Sequence, residues 1–125
     1  MFSLSSFHTY ILYRHPTDMR KGFDGLSGIV LSVLKTDPCN GTVYLFINKR
    51  RDKLKLLVWE QNGFTLYYKR LEQGTFELPD FKSEGMALNW SQLVLMVSGI
   101  SLKKLSYRKR FTPDHPLKLM HKFNG

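Results

Sequence analysis

Between Thr42 and Leu71 three strand-forming runs follow one another almost without pause: TVYLFIN, KLKLLVWE and GFTLYYKRL. Each is dominated by β-branched, aromatic and aliphatic residues. The links, KRRD at 49–52 and QN at 61–62 before Gly63, are of hairpin length. The middle of the chain is therefore an antiparallel meander. If the register follows the pleat, Val43, Leu45, Ile47, Leu54, Leu56, Val58, Phe64, Leu66 and Tyr68 share one face, which forms the core under a first helix. Tyr44, Phe46, Lys55, Trp59, Tyr67 and Lys69 fall on the other.

The flanks supply the covering elements. Tyr10 to Tyr13 is a short strand that Pro16 ends. Thr17 or Asp18 is placed to cap a helix over about 19–35, whose apolar stripe is Phe23, Leu26, Val30, Val33 and Leu34. Its second turn holds Gly22 and Gly25, an arrangement that weakens a helix by roughly 1 kcal/mol per glycine and calls for a close neighbour, a ligand or simple tolerance. DPCNG at 37–41 is a turn cluster. Asn89 and Gln92 have the spacing of a capping box, followed by Trp90, Leu93, Val94, Val97 and Ile100 on one side and Gly99 as a stop. The expected fold is α+β, a single small domain over 1–102 in the order β-α-β-β-β-α. The basic segment 103–125 is expected to be a mobile tail.

A chain of 125 residues supports one core. Lys and Arg number 19 against 10 for Asp and Glu, a formal charge of +9 that favours polyanionic partners, nucleic acid before an anionic membrane surface. Cys39 is the only cysteine, so there is no internal disulfide, and no apolar run has signal or membrane length. A cytoplasmic protein without a membrane partner is expected.

The residues for catalysis are poorly placed. His8, His15, His115 and His121 lie near the two ends, without the i, i+4 spacing that presents two imidazoles to one metal. A two-metal nuclease site would have to draw on Asp18, Asp24, Asp52 and Glu60, yet Asp18 reads as a cap and Asp52 as a turn residue. No phosphate loop of the GxxxxGK[ST] form and no GxSxG elbow is present. No catalytic residue, metal site or cofactor is expected.

The cations carry more information. Lys49, Arg50, Arg51, Lys53 and Lys55 surround the first hairpin turn, and Lys69 and Arg70 end the third meander strand. Such a tip can grip phosphates; the plainer alternative is a solvated turn whose charges prevent edge pairing. The face with Tyr44, Phe46, Trp59 and Tyr67 can stack exposed bases, or be covered by the second helix or a partner subunit.

Taken in order, PTDMRKGFDGL, the DP at 37–38, NKRRDKLKLLVWEQNGFTLYYKRLEQGTFELP and LNWSQLVLMVSGI resemble the TnpB-type accessory protein of bacterial insertion-sequence-66 elements, a family distinct from the RNA-guided nucleases of that name. The resemblance runs from about Tyr10 to Ile100. It implies a part in DNA transposition, with the chemistry supplied by a separate, longer transposase of the same element. Members usually carry a glycine near the basic hairpin, where this chain has Lys49 to Asp52 without one, which leaves the turn shape open.

Two roles follow. In the first the chain is a non-catalytic DNA-binding factor that holds phosphates of the transposon ends, single- or double-stranded, through Arg20 and Lys21 at the helix start and through the hairpin cations. In the second it is an adaptor that binds the long transposase through Tyr44, Phe46, Trp59 and Tyr67. Self-association into a homo-oligomer is left open. Gly22 and Gly25 then make room for a phosphate backbone, or Gly25 and Gly28 for a closely packed strand. Burial of Trp59 and Tyr67 within one chain would remove the adaptor surface.

Overall fold

The computed structural model describes residues 4–98. In chain order the elements are β1 (Tyr10–Tyr13), α1 (Phe23–Ser32), β2 (Val43–Ile47), β3 (Lys53–Glu60), β4 (Gly63–Arg70), β5 (Gly85–Leu88) and α2 (Trp90–Val97). The five strands form one sheet in the order β4-β3-β2-β1-β5. The α+β class and the meander β2-β3-β4 agree with the sequence reading, and β5 is an addition to it. GMAL at 85–88 has a glycine, an alanine and no β-branched residue, so its strand character comes from pairing with β1 and not from propensity. Gly99, Ile100 and the basic segment 103–125 lie outside the described residues.

β1 pairs parallel with β2, and α1 is the crossover between them. The two hairpins then carry the chain outward to β4, and β5 returns to the far side of β1, antiparallel to it. β2 is buried along its whole length, because the sheet is covered on both faces. Leu26 and Val30 of α1 pack with Tyr44, Phe46 and Leu57 on one face. Leu93 and Met96 of α2 pack with Val43, Leu45, Ile47, Leu54, Leu56 and Val58 on the other.

This arrangement corrects the expected faces in two ways. First, α1 lies over Tyr44 and Phe46, and α2 over the Val43 and Leu45 face. Second, β4 is turned over relative to expectation. Gln61 and Asn62 both have left-handed backbone, φ 50 and 68, in a two-residue hairpin that pairs Glu60 with Gly63. Even-numbered β3 residues thereby oppose odd-numbered β4 residues: Leu56 faces Tyr67 and Leu54 faces Lys69. Phe64 and Leu66 consequently join the cluster under α1, and Tyr67 packs on the α2 side.

α1 is also shorter than the expected 19–35. Asp18 does not cap it; its carboxylate accepts from the Arg20 backbone N–H at 2.9 Å, a turn of its own before the helix. The N-cap is Gly22, with no side-chain hydrogen bond. The carbonyls of Met19 and Lys21 turn away to accept from the Lys55 ammonium at 2.7 and 2.8 Å, which holds residues 19–21 out of helical register. Phe23 at the start of the stripe is exposed, and Leu26 and Val30 are the buried pair. At α2 the capping box is present as read: Asn89 Oδ1 accepts from the Gln92 N–H and Gln92 Oε1 from the Asn89 N–H.

Candidate nucleic-acid interface

Because β1 and β2 run parallel and β3 and β4 alternate, one end of the sheet collects the C-terminal ends of β1, β2 and β4 and the start of β3. The first hairpin turn sits there. The Arg51 N–H closes on the Asn48 carbonyl at 3.0 Å, and Asn48 Oδ1 accepts from the backbone N–H groups of Asp52 and Lys53 at 3.0 and 2.9 Å. Asn48 Nδ2 donates to Asp52 at 2.7 Å, and that bond is the main reason the Asp52 carboxyl is held below its ordinary value. A tip braced this way keeps Lys49, Arg50 and Arg51 exposed on a fixed backbone.

The segment before α1 is tied to the same end. The Thr17 N–H donates to the Ile47 carbonyl at 2.8 Å, and Lys55 holds Met19 and Lys21 from below. Between this segment and the hairpin tip lies an open cleft of about 560 Å³, whose cationic lining is Arg20, Lys49, Arg50 and Lys53, with Tyr68 beside them. A neighbouring cleft of about 370 Å³ shares Lys53 and Tyr68 and adds Arg70 and Glu72. On the other side of the tip a pocket of about 210 Å³ brings Arg14 together with Lys49 and Arg51.

Two carboxylates temper this field. Asp18 takes Arg20 Nη2 at 2.7 Å and Nε at 3.0 Å, and the hydrogen bonds from Arg20 hold its carboxyl at about 2. Arg70 donates to Glu72 from Nε and Nη2 at 3.1 and 2.9 Å. Both pairs are solvent-exposed, so they offset charge without fixing either arginine strongly.

The expected site residues divide accordingly. Arg20, Lys49, Arg50 and Lys53 come together in one cleft, with Arg70 next door and Arg51 on the reverse of the tip. Lys21 is exposed but lines none of these clefts; its stem lies against Gly25, where a Cβ would meet it at 3.1 Å. That is the neighbour of Gly25, and nothing stands within 4 Å of a Cβ at Gly22 or Gly28, so neither glycine receives a strand. Lys55 is a correction: it is buried, its ammonium bonded to two carbonyls and 4.7 Å from the Tyr68 ring centroid, so it organises the site from inside. Lys69 is half-buried on the α2 face, where desolvation draws its pKa below the ordinary lysine value.

The expected aromatic surface is corrected as well. Tyr44 and Phe46 are core residues under α1, at 2% and 0% exposure. Trp59 is half-buried edge-on to Phe64, while Tyr67 is half-buried on the opposite face, so the four do not form one surface. Sequence reasoning missed Arg14 and Tyr68. Arg14 was legible as the cation that follows β1; Tyr68 was hidden by the inverted β4.

The carboxylates weighed for a nuclease do not converge. Asp52 and Glu60 stand at opposite ends of β3, roughly 25 Å apart at about 3.3 Å per residue. Among the described residues no group of three or more His, Cys, Asp or Glu side chains is arranged to hold a metal ion, and no helix is long and apolar enough to cross a membrane.

Compared with known families, residues 8–107 match the one described as IS66 Orf2 like protein. The chain belongs to that family. IS66 Orf2-like proteins are transposition-associated accessory proteins and not a known catalytic family. Two relatives come from Sinorhizobium fredii (strain NBRC 101917 / NGR234). Uncharacterized protein y4jC is 33% identical over 104 residues, covering 83% of this chain and 86% of the relative. Uncharacterized protein y4hO is 36% identical over 84 residues, covering 67% and 73%. No solved structure gives a significant match.

Proposed function

We propose that this IS66 Orf2-like protein binds DNA as a non-catalytic factor of the transposition complex, holding phosphates at the cationic end of its sheet while the long transposase of the same element supplies the chemistry. The observation that carries the reading is the cleft in which the segment before α1 and the first hairpin, 29 to 33 positions apart for Arg20 against Lys49 to Lys53, present four cations together. Neutralising phosphates releases counterions, and this term supplies most of the sequence-independent affinity for DNA. The adaptor role through Tyr44, Phe46, Trp59 and Tyr67 is not proposed, since a partner cannot reach the first two rings and the other two are half-buried on opposite faces of the sheet.

The test is a variant with Lys49, Arg50, Arg51 and Lys53 all replaced by Ala, titrated against duplex DNA across a range of salt. Losing two to four phosphate contacts flattens the slope of log affinity against log salt by roughly 2 to 4 units. The circular dichroism spectrum should be unchanged, as surface substitutions cost about 0.5 kcal/mol or less each. Unaltered affinity and slope in the folded variant would refute the reading.

A further inference from the structure

We infer that Tyr68 is a stacking platform for an unpaired base, so that the cationic cleft takes DNA with single-stranded nucleotides in preference to plain duplex. The inference rests on the DNA-binding reading and adds the substrate class. Tyr68 is 50% exposed near the end of β4. Phe64 and Leu66, on the same face of that strand, pack into the cluster under α1, whereas Tyr68 stands outside it.

Its surroundings give the ring a direction. The Lys55 ammonium, held by the Met19 and Lys21 carbonyls, lies 4.7 Å from the ring centroid. Lys55 itself is only 7% exposed, so it occupies the inner face of the ring and the solvent-facing side is the other one. The cation is favourably placed against the ring quadrupole and seats it from beneath. Around the open side, Tyr68 borders both the 560 Å³ cleft with Arg20, Lys49 and Arg50 and the 370 Å³ cleft with Arg70, with Lys53 common to the two. The carboxylates that also line these clefts, Asp18 and Glu72, are each paired with an arginine.

A flat apolar ring between two cationic clefts matches the way single strands are held, with phosphates on the cations and a base on an aromatic face. An intact duplex offers phosphates to the same cations but keeps its bases in the stack, out of reach of a ring at phosphate level.

The full wild-type chain and its Tyr68→Leu and Tyr68→Phe variants are to be titrated against an oligothymidylate and a blunt duplex of equal length, at several salt concentrations, with melting temperatures as a check on folding. The expected result is that Tyr68→Leu loses about five-fold or more in affinity for the single strand, with its salt slope and its duplex affinity unchanged, while Tyr68→Phe binds as wild type. Unchanged single-strand affinity in Tyr68→Leu, an equal loss on both DNAs, or a flattened slope overturns the stacking role and leaves phosphate binding standing. Absence of wild-type binding to either DNA overturns the DNA reading itself and the inference with it.

Discussion

Arg51 occupies a left-handed backbone conformation, φ 61, at the tip of the basic hairpin. A non-glycine residue there loses roughly 1 kcal/mol or more. Arg51→Gly should therefore raise the thermal midpoint or leave it unchanged, for a gain of up to about 1 kcal/mol after the unfolded-state entropy of glycine is set against it, while lowering the salt slope of DNA binding by up to about 0.9. A melt and a titration on the same variant separate strain from charge. Asp18 supports the converse test. Its folded-state pKa lies below the unfolded value, so the stabilisation from its bonds to Arg20 is present above the ordinary carboxylate range and fades as pH falls from about 4 towards 2. From pH 5 to 8 the pair stays ionised and competes with phosphate for Arg20. Asp18→Asn keeps an oxygen for the Arg20 N–H and removes the charge, so DNA should bind more tightly at pH 7 with a slope steeper by up to about 0.9; weaker binding would show that the carboxylate positions Arg20 for its ligand.

At the scale of elements, each strand's two faces are evident in its alternation, but the turn between strands decides which faces meet. The Gln61–Asn62 link gives β3 and β4 partners whose numbers sum to an odd value, and that parity puts Tyr68 beside Lys55 and Tyr67 beside Leu56. β5 shows the opposite limit, a strand with weak propensity made by its neighbours. Gly85 opens it where an added Cβ would stand 2.9 Å from both Ile11 Cγ2 and Leu34 Cδ2, the second belonging to the segment just after α1. Gly85→Ala should destabilise the fold by about 1–3 kcal/mol through overpacking, read as a lowered denaturant midpoint at constant m-value. An undiminished midpoint would mean that Leu34 moves aside freely.

Across the whole molecule, the parallel β1–α1–β2 crossover and the two hairpins bring Arg14, Arg20, Lys49, Arg50, Arg51, Lys53 and Arg70 to one end of the sheet. These seven cations act as a local field over that end, in addition to the general attraction of a chain whose formal net charge is +9. Position, and not charge count, should then govern DNA binding. Lys35, beyond the C-terminal end of α1 and outside the clefts, serves as the comparison. Lys49→Ala should flatten the salt slope by about 0.9 and Lys35→Ala by much less, although each removes one charge. Equal effects in matched titrations would indicate a diffuse attraction without a defined interface.

The sequence by itself determined the meander, the capped second helix, the basic tip and the family, because each is written in contiguous residues: alternation within a run, a short link, an Asn three positions before a Gln, four cations in five places. It brought Arg20 and the hairpin into view as separate candidates. Tertiary structure alone decided that they line one cleft, that Lys55 is an internal clamp, that Tyr44 and Phe46 are core and that Tyr68 is exposed. Those facts depend on which strand lies beside which and on the parity of a two-residue turn. A side chain's burial is set by the elements laid over it, and α1, α2 and β5 reach their places through contacts distant in the chain.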